Sequence, residues 1–506
     1  MLYISSRNPG LAATPAEAIK LGIAPDGGLF TPERVPELGM SGACTIDDMV
    51  GMSYLERAKV ILGAFLTDFT DEELAACIRA AYGRGAFDVK GVAPVRPLAG
   101  PGSQLYILEL WHGPTCAFKD VALQILPHLL TLASMKTSEE KEIVILVATS
   151  GDTGKAALEG FKDVPGTRII VFYPHAGVSE VQERQMVTQE GRNVAVVGIL
   201  GNFDEAQTGV KRIFGDKGFN ALLSEMGFRL SSANSINWGR LVPQIVYYIS
   251  AYCDLVTMGE LAPGEEVNIA VPTGNFGNIL AAYYARRMGL PVHKLICASN
   301  ENNVLVDFMR TGVYTRKRRF VQTISPSMDI LVSSNLERLL FELTGHNGKL
   351  VRQWMHDLAG TGTYEVDSDV KGALTELFWA DYATEAETIA TIKAVYDSYH
   401  YVLDTHTAVG KNVHDKYVAA TQDRRKTILA STASPFKFAG SVVKAIAGEE
   451  QIQGQSEFDL LRVLADIGNM PIPEGLRDLE FKSPRHTIEC APAEMRNVVM
   501  QLLSPN

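Results

Sequence analysis

Short apolar runs alternate with amphipathic segments along the chain from about residue 98 onward. Four of the runs are almost continuous stretches of Val, Ile and Leu, which is typical of parallel strands covered on both faces. Repeated strand–helix units predict an α/β protein with open parallel sheets and flanking helices, and such sheets bind ligands at the carboxyl ends of their strands. The strand candidates are QLYILEL, EIVILVA, TRIIVFY, NVAVVGIL, VNIAVP, KLICAS and TILAST, and the helix candidates include ALQILPHLLTLA, VSEVQERQMVTQEG, WGRLVPQIVYYISAY and ILAAYYARRMG.

Residues 1–97 show a different pattern and are predicted to form a separate N-terminal α+β module. The segment TPAEAIKLGIA is typical of a short helix behind a Thr14–Pro15 cap, and PDGGLF is typical of a turn that enters a strand. Two longer helices, TIDDMVGMSYLERAKVILGAFL and TDEELAACIRAAYG, are each predicted behind a Thr cap. The stretch GVAPVRPLAGPG, residues 91–102, is rich in Pro and Gly and predicts a domain boundary.

Composition and charge narrow the function classes. The 506 residues allow two to four domains at about 150 residues each, and 46% hydrophobic residues supply a sizeable core. A net charge of −11 argues against binding nucleic acid or an anionic membrane through the overall field. The six cysteines form no CxxC pair or zinc-ligand spacing, and no signal peptide or membrane span is recognisable. We therefore expect a cytoplasmic protein with reduced thiols and no metal site.

A lysine follows the predicted strand QLYILEL, in the loop HGPTCAFKD at residues 112–120. Lys119 lies between Phe118 and Val121 at the start of an apolar helix, not in a run of charges. Partial burial and a helix N-terminus both disfavour an ammonium group and lower its pKa. Lys119 is therefore predicted to serve as a Schiff-base amine.

A second polar loop, ATSGDTGKAA at residues 148–157, also follows a strand and begins a helix. Its glycines allow a tight turn, and its short polar groups suit a carboxylate or phosphate at a helix N-terminus. It is not a P-loop, because position 149 is not Gly and position 156 is neither Ser nor Thr. The candidate ligand-binding residues are Thr149, Ser150, Gly151, Asp152 and Thr153.

A third loop, PTGNFGN, follows the strand VNIAV, and its backbone N–H groups and helix dipole suit a phosphate. It lacks the GxGxxG spacing of dinucleotide sites. A lysine and a phosphate cradle at two strand ends are the two anchors of pyridoxal 5′-phosphate. The strand TILAST ends in Ser431–Thr432, which offers a hydroxyl to the pyridine nitrogen. A hydroxyl does not keep this nitrogen protonated, which favours elimination and replacement at the β and γ carbons over transamination.

Together, HGPTCAFKD, VATSGDTGKAA, PTGNFGNILAA and STASPFKF resemble the threonine synthase family, whose members are fold-type II, tryptophan synthase β-like pyridoxal-phosphate enzymes. The resemblance continues in GLAATPAEAIKLGIAPDGGLFTPE, LSSANSINWGRLVPQIVYY, SPSMDILVSSNLERLLFE and DTHTAVG, and so runs from near residue 8 to about residue 440. It implies that Lys119 forms the internal aldimine and that Thr432 contacts the pyridine nitrogen. It also implies that the cofactor phosphate is bound by Gly274, Asn275, Phe276, Gly277 and Asn278.

The resemblance further implies a reaction and a domain arrangement. Family members are carbon–oxygen lyases that convert O-phospho-L-homoserine and water to L-threonine and phosphate through an aldimine, the last step of threonine biosynthesis. Residues 98–140 and 265–506 are expected to form a large cofactor-binding domain with a helical elaboration at about 305–425. Residues 141–264 are expected to form a smaller α/β domain.

The substrate phosphate needs a second anion site, because the Ser150-Gly151-Asp152-Thr153 loop is the candidate for the substrate carboxylate. Arg240 is the best candidate for the phosphate, because a guanidinium can bind it bidentately. A monomer or dimer acting on this small molecule, with no nucleic-acid or membrane partner, is expected. The other candidates for the phosphate site are Lys155, Asn234, Ser235 and Asn237.

Two other functions remain open at this point. A phospholyase that releases a 2-oxo acid and ammonia would share every cofactor motif and differ only in its product. A catalytically silent binding protein on the same scaffold is expected to lack Lys119 or the GNFGN loop, and both are present. His112, Asp404 and His406 each have an active-site and a structural interpretation, and the sequence defines no role for SNLER at residues 334–338.

Overall fold

The computed structural model describes residues 1–40, 44–83, 85–149, 151–175 and 177–504. Ser150, a predicted substrate-binding residue, lies outside these ranges. The described residues form four β-sheets. Their strands are β1 (Tyr3–Ser5), β2 (Asn8–Ala13), β3 (Phe30–Pro32), β4 (Val95–Pro97), β5 (Leu105–Glu109), β6 (Glu142–Ala148), β7 (Thr167–Pro174), β8 (Val194–Ile199), β9 (Phe228–Ser231), β10 (Val267–Pro272), β11 (Val292–Ser299), β12 (Val313–Thr315), β13 (Thr363–Glu365), β14 (Phe378–Tyr382), β15 (Thr427–Ser431) and β16 (Ile488–Cys490).

Most helices in these ranges begin behind a Ser, Thr, Asp or Asn whose side chain accepts a hydrogen bond from an N–H of the first turn. The cap residues therefore set where these helices start. The helices are α1 (Pro15–Leu21), α2 (Ile46–Met49), α3 (Tyr54–Phe65), α4 (Asp71–Tyr82), α5 (Lys119–Leu123), α6 (Leu126–Lys136), α7 (Asp152–Phe161), α8 (Glu180–Val187), α9 (Phe203–Gly215), α10 (Lys217–Glu225), α11 (Trp238–Thr257), α12 (Gly277–Arg287), α13 (Val304–Thr311), α14 (Leu336–Leu343), α15 (Gly348–Gly360), α16 (Ser368–Leu377), α17 (Glu385–Tyr399), α18 (Thr405–Thr421), α19 (Ala439–Ala447), α20 (Glu457–Gly468) and α21 (Met495–Leu503).

The largest sheet has six strands in the order β14-β11-β10-β15-β5-β4. All neighbouring strands are parallel except β4, which runs antiparallel to β5 at the edge. Alternate residues of β5 enter two different apolar cores: Tyr106 and Leu108 face one, and Leu105 and Ile107 face the other. Both faces of the sheet are thus covered, as its apolar runs predict.

A second sheet has five parallel strands in the order β16-β8-β7-β6-β9. Together the two sheets contain all seven predicted strands, and the predicted α/β fold class is confirmed. The domain boundaries stay predictions. Strand β16 lies in this smaller sheet, although the predicted boundaries assign its residues to the larger domain.

The N-terminal module has a three-stranded antiparallel sheet, β2-β1-β3, and the helices α1 to α4. Thr14 caps α1 as predicted. The prediction of one helix over residues 45–66 is wrong: the backbone is extended at Val50, and Ser53 caps a second helix there. The module packs on α11, whose Trp238 ring lies 5.3 Å from that of Tyr3 and 5.5 Å from that of Phe65.

The region from 305 to 425 is mainly helical, as expected, but it also contains strands. The strands β12 and β13 pair with each other, and β14 extends the six-stranded sheet at its edge. The predicted helix ALQILPHLLTLA is divided between the end of α5 and α6, which begins at Leu126. None of the helices in the described ranges combines the length and hydropathy needed to cross a membrane.

Candidate active site

Three of the predicted site segments follow neighbouring strands of the six-stranded sheet. Lys119 comes after β5, Thr432 directly follows β15, and the turn 274–278 follows β10. Since these strands are adjacent and parallel, their carboxyl ends meet at one edge of the sheet. The backbone N–H of Phe118 donates to the carbonyl of Thr432 at 2.8 Å, which ties the lysine loop to the end of β15.

Lys119 is the first residue of α5, and its side chain is almost completely buried. Its Nζ lies 3.6 Å from the Asp152 carboxylate and donates to the Ser327 hydroxyl at 3.3 Å. Burial lowers the pKa of the Lys119 amine, and Asp152 opposes that shift. The positive charges of Lys437 and Arg240 lower it further. The site therefore favours the neutral, nucleophilic amine more than water does.

Asp152 balances two buried ammonium groups. It is the first residue of α7, and its Oδ1 lies 2.9 Å from Nζ of Lys437 and accepts a hydrogen bond from Gln182 at 3.1 Å. Burial alone would raise the pKa of Asp152, but Lys437 and Lys119 hold it well below its usual value. Lys437 also donates to the Thr115 carbonyl at 3.1 Å, so it fixes the loop that carries Lys119.

Ser327 connects Lys119 to a buried histidine. The Ser327 N–H donates to Nε2 of His406 at 3.1 Å, and Nδ1 of His406 lies 3.0 Å from the Asp404 carboxylate. Because Nε2 accepts a hydrogen bond, the proton is on Nδ1, facing Asp404. Asp404 also caps α18. The helix-cap and active-site interpretations of this pair are thus compatible.

The turn 274–278 is a preformed anion cradle. Phe276 is in the left-handed region with φ 65°, directly before α12, and the first N–H groups of α12 have no partner within the helix. Asn278 is buried, and its Nδ2 has no hydrogen-bond partner among the described residues. A Cβ at Gly274 would lie 2.5 Å from the Ser327 carbonyl, so the close approach of the two loops requires glycine.

The 148–157 loop has its shape set by its own side chains. The Thr149 hydroxyl accepts from the N–H groups of Gly151 at 3.0 Å and Gly154 at 2.9 Å. Gly151 has φ 134°, a conformation that L side chains rarely adopt. Asp152 points to the two lysines, and Thr153 is half-buried. The binding of a substrate carboxylate here stays a prediction.

The five candidates for the substrate phosphate differ in how many of their donors already bind other groups of the protein. Arg240 is 4% exposed, and its Nε has no hydrogen-bond partner among the described residues. Its Nη1 donates to the Ala233 carbonyl at 2.9 Å, and burial lowers its pKa to about 10. Lys155, by contrast, is paired with Glu159 at 2.9 Å and donates to Gln189.

The remaining three candidates precede α11. Asn237 is its N-cap, accepting from Gly239 N–H at 2.9 Å and donating to the Ile19 carbonyl at 3.0 Å. Ser235 is half-buried and Asn234 is exposed. Of the five, Arg240 alone combines deep burial, an unpartnered donor and an electrostatic effect on Lys119.

Two residues at the site, Ser327 and Lys437, had no predicted role. Lys437 lies in the STASPFKF motif, five residues after Thr432. A second lysine in a motif that already supplies a predicted site residue was the signal that could have identified it. Ser327 is 208 residues from Lys119 in sequence, and no local pattern connects them.

His112, in the Lys119 loop, is held between two carboxylates. Its Nδ1 lies 2.7 Å from Asp88 and its Nε2 lies 2.9 Å from Glu109. Glu109 also accepts from Tyr401 at 2.8 Å and pairs with Arg96 at 2.9 Å. Burial opposes the charged imidazole, but the two carboxylates raise the pKa of His112 above its usual value.

The donor set fits pyridoxal phosphate. A buried amine with a lowered pKa suits the aldehyde, the orphaned Asn278 amide and the N-terminus of α12 suit a phosphate, and Thr432 offers a hydroxyl. No group of three or more His, Cys, Asp or Glu in the described ranges has the arrangement of a metal site.

Three family models match the chain: "Threonine synthase N terminus" over residues 2–82, "Pyridoxal-phosphate dependent enzyme" over 87–359 and "Threonine synthase, C-terminal" over 407–498. A human protein named threonine synthase-like 1 is 43% identical over 446 residues. The match covers 86% of this chain, which spans only 58% of the human protein.

Two further relatives match along most of both proteins. Threonine synthase of Saccharomyces cerevisiae is 38% identical over 85% of this chain and 86% of its own length. The crystal structure of PLP-bound threonine synthase from Brucella melitensis is 34% identical, with a TM-score of 0.84 over 100% of both chains. The predicted family is therefore confirmed, and this chain belongs to the threonine synthase family of pyridoxal-phosphate-dependent enzymes.

Proposed function

We propose that the protein is a threonine synthase, which converts O-phospho-L-homoserine and water to L-threonine and phosphate. One observation carries the proposal: the buried amine of Lys119 lies near two separate sets of unsatisfied anion donors. The first set is the α12 turn with Asn278, and the second is Arg240. A phosphorylated cofactor occupies one anion site, so the second suits the phosphate of a substrate.

Separate groups of residues would bind the cofactor and the substrate. Lys119 would hold the cofactor through its amine, the turn 274–278 would bind its phosphate, and Thr432 would offer a hydroxyl to its pyridine nitrogen. Asn278 contributes its free amide N–H. Arg240 binds the substrate phosphate, and the loop 149–153 binds the substrate carboxylate with hydroxyl and N–H groups. When bound, pyridoxal phosphate supplies a ring that takes up the electrons released at the α carbon.

Lys119 then moves the protons. Over one turnover its amine accepts a proton from the substrate α carbon and one from the β carbon, and it delivers one to the γ carbon and one back to the α carbon. The hydroxyl that adds at the β carbon comes from water, whose remaining proton is taken up by the departing phosphate. Asp152 and the Ser327 hydroxyl keep Nζ in place for these transfers. Arg240 stabilises the phosphate as it leaves the γ carbon, and water adds at the β carbon.

The phospholyase reaction is the second candidate. The human relative at 43% identity is named threonine synthase-like, not threonine synthase, although it matches along 86% of this chain. Elimination of phosphate followed by release of a 2-oxo acid and ammonia would use the same cofactor residues.

Product analysis with O-phospho-L-homoserine tests the proposal and separates the two candidates. With pyridoxal phosphate bound, we expect threonine and phosphate in equal amounts. Phosphate with 2-oxobutyrate and no threonine would assign the phospholyase reaction instead. L-Homoserine, which lacks the phosphate, is the control substrate, and it should give no product.

We further propose that the protein acts in the cytoplasm, as a monomer or dimer, without a nucleic-acid partner. The net charge of −11 argues against a nucleic-acid partner, and the six cysteines, which all lie in the described ranges and form no disulfide, fit a reducing compartment such as the cytoplasm. Size-exclusion chromatography with light scattering would give the oligomeric state, and a tetramer would contradict it.

A further inference from the structure

Arg338, in the SNLER segment, is completely buried and joins three parts of the chain. Its Nε donates to the Phe30 carbonyl of the N-terminal module at 2.9 Å. Its Nη1 donates to the Asn335 side-chain oxygen at 2.6 Å, and its Nη2 donates to the Ile236 carbonyl at 2.5 Å. The guanidinium also lies 5.8 Å from the Trp238 ring at the start of α11.

Two of these partners belong to segments that carry the anion sites. Asn335 donates from both its backbone N–H and its amide to the Asn275 carbonyl, each at 3.1 Å, and so holds the turn before α12. Ile236 lies directly before Asn237, the N-cap of α11, the helix that carries Arg240. One side chain thus positions both the cofactor-phosphate turn and the substrate-phosphate segment.

The charge of Arg338 has no carboxylate partner among the described residues. Its neighbour Glu337 pairs with Arg7 at 2.8 Å instead. The buried Arg57 provides a contrast, because it contacts the Asp254 carboxylate at 2.5 Å in addition to two carbonyls. A buried cation without an anion beside it destabilises a folded protein, and a bound anion removes this cost.

We propose that Arg338 is a positioning residue shared by the two phosphate sites, whose charge is balanced only when phosphate groups are bound. This inference rests on the proposed function for the substrate phosphate, but not for the cofactor phosphate. It also gives the N-terminal module a role, since the Phe30 carbonyl fixes one edge of the guanidinium.

The test compares ligands that differ only in the phosphate. On the holoenzyme, 2-amino-5-phosphonopentanoate imitates O-phospho-L-homoserine with carbon in place of the ester oxygen, and L-norvaline lacks the phosphonate. For Arg338→Lys we expect the dissociation constant of the phosphonate to rise about tenfold, because the planar fork is lost. The constant for L-norvaline should change less than about twofold, within the scatter of independent sites.

Arg57→Lys is the matched control. It makes the same chemical change in a buried arginine of the N-terminal module, and it should lower thermal stability without altering either dissociation constant. Equal weakening of the phosphonate and L-norvaline in Arg338→Lys would overturn the proposal, since this would indicate only loss of structure. An equal phosphonate effect in Arg57→Lys would overturn it as well.

A second experiment measures cofactor affinity and does not depend on the identity of the substrate. We expect Arg338→Lys to release pyridoxal phosphate about tenfold more readily, with the affinity for pyridoxal unchanged. If this variant does not fold, Arg338→Gln replaces it, because a neutral amide removes the buried charge and keeps a hydrogen-bond donor; the same effect of about tenfold is expected. If the variant and the natural protein show the same ratio of affinities for pyridoxal phosphate and pyridoxal, the proposal is overturned. This outcome does not depend on which substrate the protein uses.

Discussion

The two halves of the candidate site handle charge in opposite ways. Around Lys119, each buried cation has a carboxylate: Asp152 lies beside both Lys119 and Lys437. Around the α12 turn and the start of α11, by contrast, buried donors have no carboxylate beside them. Nδ2 of Asn278 and Nε of Arg240 have no hydrogen-bond partner among the described residues. A balanced half keeps an amine in place for proton transfer, whereas an unbalanced half requires an anionic ligand.

The largest expected effect concerns the amine itself. Lys119→Ala removes the group that bonds the cofactor and moves the protons, so turnover should fall at least about 10³-fold. The balance of charge should survive, because Asp152 keeps Lys437. Activity is measured as phosphate release, with far-ultraviolet circular dichroism to check the fold. Undiminished turnover in a folded variant would remove Lys119 from its role.

The second effect concerns the unbalanced half. Arg240→Gln removes a charged donor that binds the substrate phosphate and stabilises it as it leaves, so kcat/KM should fall about 10²-fold, through a higher KM and a lower kcat. Because no carboxylate loses its partner, we expect thermal stability to be kept or to rise. Steady-state kinetics and a melting curve give both values. A destabilised variant with normal kcat/KM would indicate that Arg240 is purely structural.

The third effect concerns the balanced half. Lys437→Met leaves the buried Asp152 with one ammonium group, Lys119 at 3.6 Å, and the Gln182 hydrogen bond, so the free energy of unfolding should fall by about 3 kcal/mol. Denaturant unfolding measures this change. The comparison between the halves fails if Lys437→Met and Arg240→Gln have the same effect on stability.

The smallest effect is a pH dependence at His112. Its folded-state pKa is raised by Asp88 and Glu109, so its contribution to stability is complete below about pH 6.5 and is lost as the pH rises through the folded pKa. The melting temperature of His112→Gln should therefore lie furthest below that of the natural protein at low pH, and the gap should narrow toward alkaline pH. A gap that widens with pH would contradict this assignment.

The fold was largely predictable because its strands are strong local signals. Val/Ile/Leu runs identified the central strands, and Thr14 and Thr70 identified helix starts. Strand β14, FWADY, was missed because it is a short edge strand with a polar residue in it. The break between α2 and α3 was missed because apolar spacing continues across it.

The candidate site was only partly predictable. Lys119 and the turn 274–278 were found because each follows an apolar strand and begins a helix. Ser327, Lys437 and Arg338 act through contacts between distant segments: Arg338 and Phe30 are 308 residues apart in sequence. No periodicity or motif spacing encodes such a contact, so it requires the folded structure.

The contrast between the two halves is tested most directly by an anion alone. We would compare the melting temperature of the cofactor-free protein in phosphate and in chloride at equal ionic strength. Since a ligand that binds only the folded state stabilises it, phosphate should raise the midpoint. The increment should persist in Lys119→Ala and disappear when Asn278→Ala and Arg240→Gln are combined. Equal midpoints in phosphate and chloride, or loss of the increment in Lys119→Ala, would contradict the account.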